Sequence, residues 1–243
     1  MANVRIGTSG WVYKHWMGIF YPPRLPGEQQ LPFYAKRFST VEVNFSFYRL
    51  PERSVFETWR DQTPADFLFA VKGSRYLTHM KKLKDPQEPL ERLMHRAGGL
   101  GDKLGPILFQ FPHTWPANLE RLEAFLDVLA HYREQRFAFE FRDQTWLVPV
   151  TYRLLEGGNA ALCLPVGPMA PLDVRLTTNW TYVRMHSGRR SVGYGEQELA
   201  DWAGRIESFL DQGLDTYVYF NNDAEGHALR DAERLLQLLN PKR

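Results

Sequence analysis

The chain has 243 residues, of which 44% are hydrophobic, 24% charged and 14% aromatic, and its formal net charge is +2. This composition is typical of a soluble globular protein, with room for one large domain or two small ones, and the near-balance of charge argues against a dedicated nucleic-acid coat protein. No apolar run approaches the length of a membrane span, and the single cysteine, Cys163, excludes a disulfide framework and a cysteine-rich zinc site.

The N-terminal residues MANVRIGTSGW pass directly into a strand-like segment. They lack the basic-then-apolar pattern of a signal peptide, so a cytoplasmic location is the expectation.

Strand-like and helical segments alternate along the chain. Strands are predicted at residues 4–8, 41–47, 67–72, 106–111, 136–146, 160–164, 182–186 and 216–221. Helices are predicted at residues 31–38, 52–62, 90–97, 118–132, 150–155, 196–210 and 227–239. Asn118 is placed to cap the clearest of these helices, and the Pro-rich segment 165–176 is predicted to be a loop.

Eight strands, most of them followed by a helix, indicate a parallel sheet of the size of a (β/α)8 TIM-type barrel. The alternative is an open, doubly wound sheet. No internal repeat, low-complexity segment or linker is evident, so residues 1–243 are predicted to form a single domain.

The fifth predicted strand, RFAFEFRDQTW at residues 136–146, carries the strongest polar signal. Its three phenylalanines at odd positions share one face, whereas Ala138, Glu140 and Arg142 share the other. A strand buried on both faces should be apolar, because burying an unpaired ion is costly. Glu140 and Arg142 are therefore either paired or reserved for chemistry.

Five predicted strands share one pattern, with bulky apolar residues at odd positions and polar residues late at even positions. These polar residues are Glu42, Asn44, Lys72, Gln110, Glu140, Arg142, Arg184 and His186. In a barrel the late even positions converge at the carboxyl ends of the strands, where such folds keep their sites. The eighth strand ends in Asn221, Asn222 and Asp223 at the same rim. A ligand pocket is therefore predicted there.

Seven segments carry a family resemblance: GTSGW (7–11), FYAKRFSTVEVNFSFYRLP (33–51), FAVKGSRYLTH (69–79), LGPILFQFP (104–112), FEFRDQTW (139–146), YVRMHS (182–187) and VYFNNDAEGHA (218–228). Through them the chain resembles, from end to end, the DUF72 family, also called YecE-like. The resemblance implies a TIM-barrel fold and leaves the activity open.

Carried over by position, the resemblance indicates functional roles for Glu42, Tyr48, Lys72, His79, Gln110, Glu140, Arg142, Trp146, Arg184, His186, Asn221 and Asn222. The sequence departs from the family pattern twice. The segment LCLPVGP (162–168) stands where an acidic residue is expected, which weakens the case for a metal, and Ser187 stands where glycine is expected.

Glu42 and Glu140 are a candidate catalytic pair. Barrel geometry would bring their carboxylates to roughly 5–8 Å from each other, a range used by acid/base pairs that act on sugars. Trp11, Tyr48 and Trp146 near the rim would stack on a sugar or a base.

The structural alternative is that these ions neutralise one another. Glu140 would pair with Arg142 or Arg184, and Glu42 with Lys72. Pairing with a cation lowers the pKa of a carboxyl group, which suits a nucleophile or an anchor better than an acid.

Lys72 also allows two interpretations, because it ends an apolar strand. A desolvated lysine can form a Schiff base with a carbonyl substrate, although it is more often an anion anchor or a salt-bridge partner. Together with Arg75, His79, Arg142, Arg184 and His186 it could form a basic rim for phosphate or carboxylate groups. The run at residues 75–84 is alternatively a solvated surface.

A metal is not expected, because the candidate ligands, His79, His186, Glu42, Glu140 and Asp223, are few and mixed, and no close-spaced ligand pair occurs. No cofactor is expected either. His15, His95, His113 and His131 are predicted to be surface residues and Cys163 a core residue.

The leading hypothesis is a cofactor-independent TIM-barrel enzyme, a hydrolase or lyase, acting on a small polar, anionic or sugar-containing ligand. Glu140, Glu42 and His186 are the candidate acid/base groups, and Lys72, Arg142 and Arg184 would hold anionic groups. The alternatives are a protein that binds nucleic acid or phosphate without turnover, and a metal-dependent phosphodiesterase-like barrel. No membrane association is expected, and the oligomeric state stays open.

Overall fold

The fold is described from a computed structural model that covers residues 2–168 and 170–239. Within these residues eight parallel strands form one sheet in the order β1-β8-β7-β6-β5-β4-β3-β2. The strands are β1 (Val4–Thr8), β2 (Thr40–Val43), β3 (Leu68–Lys72), β4 (Leu104–Gln110), β5 (Phe137–Glu140), β6 (Ala160–Val166), β7 (Trp180–Met185) and β8 (Asp215–Phe220).

The sheet closes on itself between β1 and β2. The backbone N–H of Gly10 donates to the carbonyl oxygen of Glu42 at 2.8 Å, and Ser9 pairs with Glu42 in a parallel bridge. Gly7 permits this approach, since a Cβ atom there would lie 2.2 Å from the carbonyl oxygen of Thr40. The predicted barrel is therefore confirmed, and the open doubly wound sheet is wrong.

The helices alternate with the strands. They are α1 (Gly27–Tyr34), α2 (Phe45–Tyr48), α3 (Arg53–Asp61), α4 (Gln87–Ala97), α5 (Leu119–Leu129), α6 (Pro149–Gly157), α7 (Glu196–Asp211) and α8 (His227–Leu239). The side chain of Asn118 caps α5 by accepting from the backbone N–H of Arg121 at 2.9 Å, as expected. The first helix lies four residues earlier than predicted and carries Pro32 inside it.

Two strands are shorter than the sequence predicts. β2 ends at Val43 and the chain turns into α2, so Phe45 and Phe47 lie on a helix rather than on the strand. β5 ends at Glu140, and a short 3₁₀ turn holds Trp146. In both cases an apolar residue that follows the strand is buried by other contacts. Trp146 packs against Trp115, and the ring of Phe47 lies against the amine of Lys72.

Two separate apolar layers explain the alternation along the strands. The larger one lies between the barrel and the helices and contains the odd-numbered residues of β2 to β5, such as Val41, Phe69 and Phe139. The smaller one fills the barrel interior with Ala70, Leu108, Ala138, Ala161, Cys163, Trp180, Tyr182, Tyr217 and Tyr219. The inward residues become charged at the carboxyl ends of the strands, which places the polar groups in one region. Among the described residues, none of the helices is both long and apolar enough to cross a bilayer.

Candidate active site

A buried ion pair between Arg184 of β7 and Glu42 of β2 spans the barrel interior. Arg184 Nε donates to Glu42 Oε2 at 2.9 Å and Nη2 donates to Oε1 at 2.7 Å. Ser9 Oγ and the Tyr182 hydroxyl donate to the same carboxylate at 2.6 and 2.7 Å. Glu42 is fully buried and thus accepts four hydrogen bonds.

The remaining guanidinium nitrogen of Arg184 reaches Glu140 on β5. Nη1 donates to Glu140 Oε2 at 2.7 Å, and Arg142 Nε donates to Oε1. His186 Nε2 lies 3.3 Å from the same Oε1. Glu42 and Glu140 therefore belong to one continuous network that Arg184 joins.

Both carboxyl groups are held in the ionised form. Burial by itself would raise the pKa of Glu42, but Arg184 outweighs it and the pKa lies below the usual value. In the same way Arg184 and His186 hold the pKa of Glu140 well below its usual range, against the effect of burial. Neither group is suited to donate a proton near neutral pH. The structure therefore shows the alternative considered for Glu140, in which its carboxylate is paired with arginines, here with both Arg142 and Arg184.

His186 lies above the network, directly after β7. Arg142 Nη2 donates to His186 Nε2 at 2.8 Å, and the side-chain amide of Asn221 lies 3.1 Å from Nδ1. Burial lowers the pKa of His186, so the ring is neutral at pH 7.

Lys72, the last residue of β3, is the cation in this region without a counter-ion. Its side chain is 8% exposed, and within residues 2–168 and 170–239 its amine makes no ion pair or hydrogen bond. The expected pair with Glu42 is wrong, because Arg184 occupies that carboxylate. The Nζ atom lies instead 4.1 Å from the centroid of the Phe47 ring. Burial, reinforced by Arg184, lowers the pKa of Lys72 to about 8.

The ring of Phe47 also contacts His79, with 5.0 Å between the ring centroids. His79 Nδ1 lies 2.9 Å from the hydroxyl of Thr78. Burial and the nearby charge of Lys72 lower the pKa of His79 to about 4. His79 is therefore a neutral group near neutral pH.

An open cavity of about 720 Å³ lies at the carboxyl ends of β4, β5 and β7. It is lined by His79, Gln110, Pro112, His113, Arg142, Gly167, Ala170, His186 and Ser187. Gln110 is paired in register with Glu140, and its amide donates to the carbonyl of Phe111 at 3.1 Å. His113, expected to be a plain surface residue, is exposed but contributes to this wall.

Three of the sequence-derived site residues lie elsewhere. Trp146 is fully buried among the helices, and its Nε1 donates to the carbonyl of Trp115 at 2.8 Å. Trp11 packs edge-to-face on Trp59 with ring centroids 4.9 Å apart. Both tryptophans pack in the hydrophobic core, so neither is available to stack on a ligand.

Asn222 likewise faces away from the cavity. Its amide donates to Asp231 Oδ2 of α8 at 2.6 Å and to the carbonyl of Val192 at 3.0 Å. Asn221, by contrast, contacts His186, as adjacent residues after a strand point to opposite sides. Tyr48 stands at the rim and is 79% exposed.

The sequence pattern placed Asn44 at this rim but did not indicate two other partners of the network. Ser9, Tyr182 and Asn44 donate to its members, the last to Asn221 at 3.4 Å. Asn44 and Tyr182 share the parity of the polar positions, which was the available signal. Ser9 gave none, because its position depends on the closure between β1 and β2.

No group of three or more His, Cys, Asp or Glu side chains in the described part of the chain is arranged to hold a metal ion. The candidate metal ligands are committed in other ways. Glu42 and Glu140 bind arginines, and Asp223 pairs with His15 and accepts from Trp16 Nε1.

Comparison with known proteins agrees with the barrel. The model for the family described as "Protein of unknown function DUF72" matches residues 5–243. The chain belongs to the DUF72 family. Among its relatives, the UPF0759 protein YunF of Bacillus subtilis is 27% identical, over 98% of this chain and 95% of YunF.

Solved structures of DUF72 family proteins share the fold. One from Thermotoga maritima superposes with a TM-score of 0.84 at 28% identity, covering 98% of this chain and 99% of that one. Another from Enterococcus faecalis gives a TM-score of 0.82 at 18% identity, with 99% and 96% covered, and this likeness shows the fold alone. The family assignment therefore supplies the architecture, while the site has to be interpreted from its own chemistry.

Proposed function

We propose that this DUF72 protein is a cofactor-independent enzyme that binds a small anionic molecule in the cavity at the carboxyl ends of the strands. One observation carries the proposal. The clustered ions comprise three cations, Arg184, Arg142 and Lys72, but two carboxylates, Glu42 and Glu140. A cluster with one excess positive charge, largely shielded from water, favours an anion as its missing partner.

The cations lie nearer the cavity than the carboxylates do, which favours an anionic ligand over a cationic one. Both carboxylates are fully buried beneath the guanidinium groups, whereas the side chain of Arg142 is 19% exposed and lines the cavity. Gln110 and the neutral imidazoles add further hydrogen-bonding groups around it. An entering carboxylate or phosphate would meet Arg142 before it meets a negative charge.

The same layering argues against a glycosidase that uses Glu42 and Glu140 as an acid/base pair. Such enzymes need one carboxyl group that keeps a proton, which requires a raised pKa. Here both carboxyl groups have a lowered pKa and accept several hydrogen bonds. A role in positioning Arg142, Arg184 and His186 fits them better.

Titration calorimetry with inorganic phosphate and with pyruvate tests the proposal. We expect binding to the wild-type protein, and a loss of affinity of at least about tenfold in Arg142→Gln, since a charge-assisted hydrogen bond contributes more than 1.4 kcal/mol. The control is Arg189→Gln, whose side chain is 85% exposed. Absence of binding to the wild-type protein, or equal losses in both variants, would overturn the proposal.

A second candidate is binding of single-stranded nucleic acid without turnover. It is favoured by exposed aromatic side chains on the short helical segments that follow β2 and β3, namely Phe45 (58%), Tyr48 (79%) and Tyr76 (43%). The basic residues Arg75, Lys81, Lys82 and Lys84 lie near Tyr76 in the sequence. Exposed rings and cations together suit bases and phosphates. Oligonucleotide affinity that falls steeply with salt, in the absence of any affinity for small anions, would favour this candidate.

A further inference from the structure

The amine of Lys72 lacks the partner that a buried lysine normally has. Lysines are almost never buried unless they are paired. Lys72 is 8% exposed, and within the described residues its amine makes no ion pair or hydrogen bond and lies against the Phe47 ring, 4.1 Å from Nζ to the centroid. A cation–π contact of this kind replaces only part of the lost hydration. The position therefore needs an explanation other than a salt bridge.

Arg184 creates this situation. Its three hydrogen bonds to Glu42 and Glu140 use the carboxylate oxygens that a structural lysine would take. Ser9 and Tyr182 occupy the remaining sites on Glu42, and Arg142 binds Glu140. The amine of Lys72 is thus unpaired because both nearby carboxylates already accept hydrogen bonds from other residues.

The surroundings favour the neutral, nucleophilic form of this amine. Burial, with a further contribution from Arg184, lowers the pKa of Lys72 to about 8. At pH 7 roughly a tenth of the molecules would then carry an uncharged amine, far more than for a solvated lysine. The other charged or titratable groups that act on it are Glu42, Glu140, Arg142 and His79.

Lys72 is also next to the elements that line the cavity. It is paired in register with Leu108 on β4, two residues before Gln110. Phe47, which lies against its amine, also contacts His79, and both His79 and Gln110 form part of the cavity wall. A ligand bound to Arg142 would therefore lie close to Lys72.

We propose that Lys72 forms an imine with a small carbonyl compound that carries a carboxylate or phosphate group, the anionic group being held by Arg142. This rests on the anion-binding function proposed above and names its substrate class. The lone pair of the neutral amine forms a C–N bond to the carbonyl carbon, and the carbonyl oxygen takes up a proton. Loss of a second proton from nitrogen and of the hydroxyl group as water completes the imine, so one water leaves for each C=N bond formed.

Reductive trapping tests this proposal. The wild-type protein is incubated with pyruvate, with dihydroxyacetone phosphate or with uncharged dihydroxyacetone, and then with sodium borohydride. Borohydride delivers hydride to the imine carbon and water protonates the nitrogen, so the protein gains the mass of the carbonyl compound less one oxygen atom. We expect this adduct with at least one of the two anionic probes, at Lys72 in peptide mapping, and at least tenfold less with dihydroxyacetone.

Two variants and a pH series complete the test. Lys72→Gln should lose the adduct, whereas Lys84→Gln, which removes an exposed lysine, should keep it. The trapping rate should rise with pH and level off above about 8. Peptide mapping of the wild-type protein decides the matter even if Lys72→Gln does not fold.

The outcomes separate the two proposals. Binding of phosphate or pyruvate without any adduct at Lys72 would overturn the imine and leave the anion site standing. An adduct spread over several lysines, or unchanged in Lys72→Gln, would also overturn it. Absence of both binding and trapping would overturn both proposals.

Discussion

Arg184 binds Glu42 across the barrel interior through two hydrogen bonds, from Nε to Oε2 at 2.9 Å and from Nη2 to Oε1 at 2.7 Å. Both side chains are almost or completely buried, at 1% and 0% exposed. Such a bidentate pair is geometrically specific, and its removal leaves an uncompensated charge. The pair fixes β7 relative to β2 beneath the site, so both residues have a structural role.

Arg184→Met should destabilise the protein by about 3–5 kcal/mol, because it leaves the buried carboxylate of Glu42 without a cation and that of Glu140 with Arg142 alone. Urea unfolding at pH 7 measures the change. Arg189→Met, at an exposed position, should stay within about 0.5 kcal/mol of the wild type. A loss below about 1 kcal/mol in Arg184→Met would show that water reaches the carboxylates.

Glu140→Gln should cost about 3 kcal/mol or more, since Glu140 is half of a buried pair with Arg184. A group kept purely for chemistry would lose little stability or gain some when replaced. The same unfolding measurement distinguishes these cases. A stable Glu140→Gln protein would return Glu140 to the list of candidate catalytic residues.

Acid should destabilise the wild-type protein through Glu42 and Glu140. Their pKa values are lower in the folded state than the ordinary value of 4.5, so the unfolded chain binds more protons below that pH. Their contribution to stability is present above about pH 4.5 and is lost as the pH falls further. Urea midpoints from pH 6 to 3 should fall more steeply for the wild type than for Glu140→Gln, and parallel curves would contradict this.

Lys72→Met should stabilise the protein at pH 7. The folded pKa of about 8 lies below the ordinary 10.5, so burial of the charged amine costs at most about 3 kcal/mol. This cost is fully present below pH 8 and is relieved as the pH rises toward 10.5, because the unfolded chain binds the proton longer. The gain in unfolding free energy should therefore shrink between pH 8 and 10. Destabilisation at pH 7 would mean that the amine has a partner in solution.

Asn222→Ala should destabilise the protein by about 1–3 kcal/mol without changing the affinity for phosphate. Its amide hydrogen bond to Asp231 is buried and ties the end of β8 to α8. Thermal unfolding and calorimetry on the same sample separate the two effects. A loss of phosphate affinity at unchanged stability would place Asn222 in the site after all.

The sequence predicted the eight strands and the shared polar end of the barrel because alternation and parity are local properties. It failed at the ends of β2 and β5, where Phe47 and Trp146 continue the apolar pattern after the chain has turned. The parity of the strand positions predicted that Glu42, Glu140 and Arg184 lie together, but it did not predict which cation pairs with which carboxylate. That depends on guanidinium geometry across the barrel, which left Lys72 unpaired. Trp11 and Asn222 were misplaced for a similar reason, since their partners, Trp59 on α3 and Asp231 on α8, belong to other elements of the fold.

A crystal structure of the protein soaked with phosphate or pyruvate tests the central claim most directly. We expect an anion in the cavity, with an oxygen at hydrogen-bonding distance, about 3 Å, from the guanidinium group of Arg142 and close to Gln110. A cavity that stays free of anions at saturating concentration, with anions only at exposed residues such as Arg189, would contradict the account.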